Sequence, residues 1–283
     1  MRGRGQLATL LLFLTLPAGV RTYHYSFWSD DSQRYLYAVK KYSSGTPLEF
    51  APGEAIRAGI VTHHFLARAL MVRFFETLRA NCSPDTIILL GPNHYHHGSA
   101  NISLSSLPWK TPFGVLEADQ PIVQQFKHAT GLLEDREAFT GEHSIGVLVP
   151  FLKYYFPHSR VVPVLVDANV RESNLKELRG ALSELLGKPQ ILVLLSMDFS
   201  HHSIASIADC RDAQAEKVIS ALDLDRVGGL NVDCHRGLWL LLASLKDQGQ
   251  VKVRISEHSN SARLTGHSRQ PDVTSYFTVY FLR

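Results

Sequence analysis

The sequence predicts an α/β protein, a single domain with a central, mainly parallel β-sheet flanked by helices. Three observations predict it. Apolar runs of strand length recur at residues 87–90, 161–166 and 191–197, and strands buried on both faces read as such continuous runs. Stretches of helical period, among them 64–80 and 174–186, alternate with them, as βαβ units require. No internal repeat, low-complexity tract or linker interrupts the chain, and about 250 residues beyond the first segment suit one large domain.

The elements follow in order. Arg2 and Arg4 precede an apolar run from Leu7 to Val20. A positive start and an apolar stretch shorter than a full span make residues 1–22 a signal peptide or an N-terminal membrane anchor. The expectation is an exported or membrane-anchored protein (periplasm or cell surface if bacterial), with membrane association through this segment only. Residues 23–57 form an N-terminal extension, aromatic and polar, with a short helix in 33–42 that Asp31 or Ser32 caps. The main domain runs from 58 to 283. A strand at 58–61 leads into a helix over 64–80, which His63 and His64 open. A second strand at 86–90 ends at Gly91-Pro92-Asn93. Residues 102–111 are extended or a hairpin, and a helix lies near 121–127. Glu142-His143-Ser144 precedes an apolar helix through Ile145, Leu148, Phe151, Leu152 and Tyr155. A third strand spans 161–166 with Pro163 inside it, then a helix 174–186 and a fourth strand 191–197. Helices over 204–222 and 238–245 and closing strands at 251–256 and 276–282 complete the chain.

Composition excludes several classes. The net charge is only +3, and part of the basic excess sits in Arg2, Arg4 and Arg21, so no nucleic-acid partner is indicated. Three cysteines without a CxxC pair exclude a zinc knuckle or thioredoxin motif. No GxSxG, P-loop, GxGxxG or HExxH is present.

Fourteen histidines are many for this length, and their placement carries the functional reading. His63-His64 follow one apolar run, His94 follows another, and Asp198-Phe199-Ser200-His201 ends a third. Residues at the carboxyl ends of such strands line the ligand crevice of α/β sheets. A lone histidine is more often a surface or hydrogen-bonded residue; the repetition is what points to a metal site. Gly91 and Pro92 fix the backbone before His94. Glu142 beside His143 suits an orienting or proton-transfer role, or simply helix capping. Asp198 holds His201 in one tautomer or binds metal itself, with His201 as the acid/base candidate. Asp233 caps the helix after it or gives a carboxylate to the metal, and Cys234 offers a thiolate; spacing alone does not choose.

In this order and at these spacings, Ile60-Val61-Thr62-His63-His64, Leu89 to His94, Glu142-His143-Ser144-Ile145 with Pro150-Phe151, Val162 to Val166, and Ser196 to His201 resemble the Memo family, also labelled AmmeMemoRadiSam system protein B. The resemblance covers the chain from about Ala58 onward. It implies a fold like the class III extradiol dioxygenases, which hold non-haem Fe(II) with two histidines and a carboxylate. It carries metal-ligand roles to His63 and His94, active-site roles to Asp198 and His201, and a supporting or proton-handling role to His143. Two departures stand out. The family's Pro-His-Ala-Gly-Tyr is here Thr62-His63-His64-Phe65-Leu66. The third ligand of animal members is a cysteine, and an ungapped match along 238–245 puts Asp233 at that position, with Cys234 as the alternative. Asp233 favours iron, with copper or zinc as other candidates.

Three functions follow as expectations: an iron oxidoreductase acting on an unidentified small molecule, a non-catalytic metal- or partner-binding module on the same fold, and zinc-assisted hydrolysis.

Overall fold

The apolar runs become the middle of one sheet. The computed structural model describes residues 22–267 and 270–283, so the signal or anchor expected in the first segment lies outside the described residues. In chain order the elements are β1 (His24–Tyr25), α1 (Ser32–Tyr42), β2 (Ile56–Val61), α2 (Arg68–Asn81), β3 (Thr86–Pro92), β4 (Ile102–Leu104), β5 (Trp109–Thr111), β6 (Gly114–Leu116), α3 (Gln120–Thr130), α4 (His143–Gly146), α5 (Val149–Tyr155), β7 (Arg160–Val166), α6 (Glu172–Leu186), β8 (Ile191–Ser196), β9 (Phe199–Ser203), α7 (Ala205–Ser220), α8 (His235–Asp247), β10 (Lys252–Asn260), α9 (Ser261–Thr265) and β11 (Val273–Leu282).

The large sheet has the order β10-β11-β2-β8-β3-β7-β4, with β9 paired to β11. Its four central strands β2, β8, β3 and β7 are parallel, while the pairs at the rims are antiparallel. Ala58 stands opposite Val193, and Val193 opposite Ile88. Side chains alternate across the strands. Ile88, Leu90, Val193 and Leu195 therefore pack on one face with Leu178 and Leu182 of α6 and Leu238 and Leu241 of α8. Ile87, Leu89, Leu192 and Leu194 pack on the other with Phe74 and Phe75 of α2 and Phe151 of α5. Pro163 sits inside a strand because it falls between two pairings, the β4 ladder that stops at Leu104 opposite Val164 and the bridge from Ala118 to Val161, so no ladder hydrogen bond needs its missing N–H.

Local chemistry departs from the sequence expectations at four places. His63 and His64 do not open the helix: Asp198 Oδ1 accepts from the His63 N–H and Thr62 Oγ1 from that of His64, the backbone at His64 is extended, and a 3₁₀ turn at Phe65–Ala67 precedes α2. The second strand runs on through Gly91 and Pro92. The helix expected after Glu142 splits into α4 and α5, because Pro150 has no N–H to bond Gly146; the Gly146 carbonyl accepts instead from Phe27 N–H at 2.9 Å. Finally, His201 lies on β9, a separate strand hydrogen-bonded to β11.

The extension 23–57 packs onto the domain, with Tyr35 fully buried and β1 paired to β5. Among the described residues no helix is long and apolar enough to cross a membrane.

Candidate metal centre

Three of the expected residues occupy equivalent places. β2 ends at Val61, β3 at Pro92 and β8 at Ser196, so His63, His94 and Asp198 each stand two residues beyond a parallel strand. Adjacent strands that end together deliver these side chains to one rim. The loop before α8 adds Asp233, clasped to the strand ends by its main chain: Asp233 N–H donates to the Asp198 carbonyl at 3.2 Å. The Asp198 N–H in return donates to the Asp233 carboxylate, 3.1 Å from each oxygen.

The donor atoms converge. His63 Nε2 lies 3.3 Å and His94 Nε2 lies 3.6 Å from Asp233 Oδ2. Asp198 Oδ2 is 3.8 Å from His63 Nε2. His63, His94 and His143 form one group with metal-ligand spacing, and His63, Asp198 and Asp233 another. The far nitrogens are already engaged. Ser196 Oγ donates its single proton to the Ser144 carbonyl at 2.6 Å; it must therefore accept from His63 Nδ1–H at 2.9 Å. Glu142 Oε1 lies 2.8 Å from His94 Nδ1, and an ionised carboxylate only accepts. Both imidazoles thus present Nε2 toward Asp233 Oδ2.

Charge and burial reinforce this. Glu142 is buried, and its oxygens also accept from the N–H groups of His94 and Ser144. Burial opposes its ionisation, but the His94 bonds outweigh it and hold its carboxyl below the usual range. Burial likewise opposes the charged form of Asp233, yet His63 and His94 hold it well below the ordinary carboxylate range. Against the cost of burial, bonds to Asp233 and Glu142 push His94 up to about 9; Asp198 and Asp233 raise His63. Burial, then the positive charge of His63 and His94, pulls His143 down to about 4. Its ring stacks on His94 with centroids 4.2 Å apart and meets His63 edge-on at 5.0 Å. Tyr95 Oη lies 3.2 Å from His143 Nδ1.

Two expected roles find a different geometry. Asp198 does not hold His201. Its carboxylate accepts from Thr62 Oγ1 and from the His63 N–H. The His201 N–H donates to Asn231 Oδ1 at 2.6 Å, and among the described residues no hydrogen bond, ion pair or ring contact joins the His201 side chain to the cluster. Cys234 turns away: its thiol packs beside Gly237 and Leu195 in the core, and burial pushes its pKa well above the ordinary value. Sequence reasoning missed Ser196 and Thr62, which read only as strand residues. It also missed the wall of the site, where Phe27 from the N-terminal extension lies against His143, centroids 6.3 Å apart, and Trp28 packs on Phe65 at 4.8 Å.

Comparison with known proteins adds to this geometry. The family model described as Memo-like protein matches residues 26–280. A MEMO1 family protein of Sulfolobus acidocaldarius is 37% identical over 253 residues, covering 83% of this chain and 86% of its own. One of Pyrobaculum aerophilum is 27% identical over 282 residues, covering 94% and 98%. The crystal structure of an uncharacterized protein from Escherichia coli K12 matches in fold, with a TM-score of 0.52 and 12% identity over 79% of this chain and 98% of that one.

Proposed function

This chain belongs to the Memo-like family, and from that premise we propose that His63, His94 and Asp233 hold one non-haem Fe(II) ion in a dioxygenase or oxidoreductase type of reaction on a small molecule. The observation that carries the reading is the approach of two Nε2 atoms to one carboxylate oxygen, at 3.3 and 3.6 Å, with both Nδ1 atoms occupied. Donors at about 2.1 Å from a common ion lie about 3 Å apart, a little less than the two Nε2–Oδ2 separations. Two imidazoles and one carboxylate are the donor set of non-haem Fe(II) sites, and when bound such an ion supplies redox chemistry with positions left open for substrate.

The protein's own groups do the rest. Ser196 and Glu142 orient the histidines, and the Asp198 N–H holds Asp233. His143, neutral near pH 7, stands where it can take a proton from a bound hydroxyl. Asp198 keeps the His63 backbone in place, and His201 lies outside this set. The N-terminal apolar segment exports or anchors the protein.

Metal analysis of protein purified without oxygen tests the reading, on wild type, His94→Ala, Asp233→Ala and Cys234→Ser. The expected result is one equivalent of iron in wild type and Cys234→Ser, lost in the other two. No metal in wild type overturns it; tight zinc with no iron replaces it with metal-assisted hydrolysis.

A further inference from the structure

The loop after β3 lays one phenol against the histidine cluster. The Tyr95 ring meets those of His143, His97 and His94 at centroid distances of 5.8, 5.6 and 6.3 Å. Two braces hold the loop. Asn93 Nδ2 donates to the His97 carbonyl at 2.9 Å. His96 sets its Nδ1 2.5 Å from Oδ2 of the buried Asp167. Its φ is 50°, an angle that few residues other than glycine adopt unless the surrounding structure holds them there.

A neutral imidazole carries one proton, and two groups bear on where that of His143 sits. Glu142 Oε1 lies 3.5 Å from His143 Nδ1 and already accepts from His94 Nδ1–H and from the Ser144 N–H. That distance is too long for a further bond, but the negative charge favours a proton on the nearby nitrogen over a lone pair. Tyr95 Oη lies within bonding distance of the same nitrogen, at 3.2 Å.

We infer that Tyr95 is a positioning residue: its hydroxyl oxygen accepts from His143 Nδ1–H and so keeps the lone pair of that ring on Nε2. A base must present a bare nitrogen to the proton it takes, and Tyr95 decides which nitrogen that is. The part this plays in a reaction rests on the reading of His143 as proton acceptor given above; the place of the proton does not.

Proton–nitrogen correlation NMR tests it on the full chain, isotope-labelled at the histidine ring nitrogens, stripped of metal with a chelator and held at neutral pH. Signals of His143 are those lost in His143→Gln. The expected wild-type form is Nδ1–H. Tyr95→Phe keeps the ring and removes the hydroxyl, and should raise the share of the Nε2–H form about fivefold, the worth of one hydrogen bond. Tyr95 is 49% exposed, so this variant should keep the wild-type unfolding midpoint. An Nε2–H or doubly protonated ring in wild type, or an unchanged ratio in Tyr95→Phe, overturns the inference. With no metal present, the result stands apart from the iron reading, which metal analysis tests separately.

Discussion

Each histidine of the cluster uses its two ring nitrogens differently, one to be held and one to act. Glu142 holds His94, and removing its charge should loosen the ring without emptying the site. Glu142→Gln is expected to keep the fold and to weaken metal binding by about 10–100-fold, measured by competition with a chromophoric chelator; undiminished affinity would remove Glu142 from the site. The proton that His94 keeps up to about 9 competes with a metal for Nε2. Metal uptake at pH 7.5 should therefore release protons, and apparent affinity should rise as pH rises toward 9. Calorimetry in buffers of different ionisation enthalpy reads this directly. His63, His94 and Asp198 were legible in the sequence because each follows an apolar run by a fixed short step. The partners of their second atoms were not legible, since Ser196 meets His63 across 133 residues and nothing local marks it.

The breaks between elements matter as much as the elements. Gly146 ends α4, and a Cβ there would lie 2.9 Å from the Phe27 ring. Gly146→Ala should displace Phe27 and cost about 1–3 kcal/mol, read as a shift in the urea midpoint; an unchanged midpoint would mean that the extension is not packed as described. β1 gives a pH signature. Burial, with Arg136 adding to it, pulls His24 down to about 4, and its Nε2 pairs with Ser105 Oγ at 2.7 Å. The unfolded imidazole protonates below about 6.5. Between 6.5 and 4 the unfolded chain binds more protons, so stability is full above that window and falls as pH drops through it, by on the order of 2–3 kcal/mol. His24→Gln should flatten the slope; equal slopes in both proteins would refute the assignment. This strand went unread because two residues carry no periodicity. β9 went unread because its polar run has no alternation, and only its pairing with β11 makes it a strand.

For the molecule as a whole, the parallel centre of the sheet was legible since double burial writes itself as uninterrupted apolar sequence. The two closing strands were legible as well, but their antiparallel pairing at the rim was not, because β10 is half exposed and takes its place from β11. If the strand ends share one ion, then stripping it with a chelator should lower the unfolding temperature. The lost stability is about 4 kcal/mol for metal at a thousand times its dissociation constant, and calorimetry of loaded and stripped protein measures it. Two of the proposed donors are fixed by strand register, whereas the third comes from a loop in which Asp233 and Cys234 are neighbours pointing opposite ways. A slip of one residue there exchanges a hard oxygen for a soft sulfur while the sheet stays untouched. The choice of metal is thus the most easily re-tuned property of this architecture, adjustable at one loop position without disturbing the scaffold.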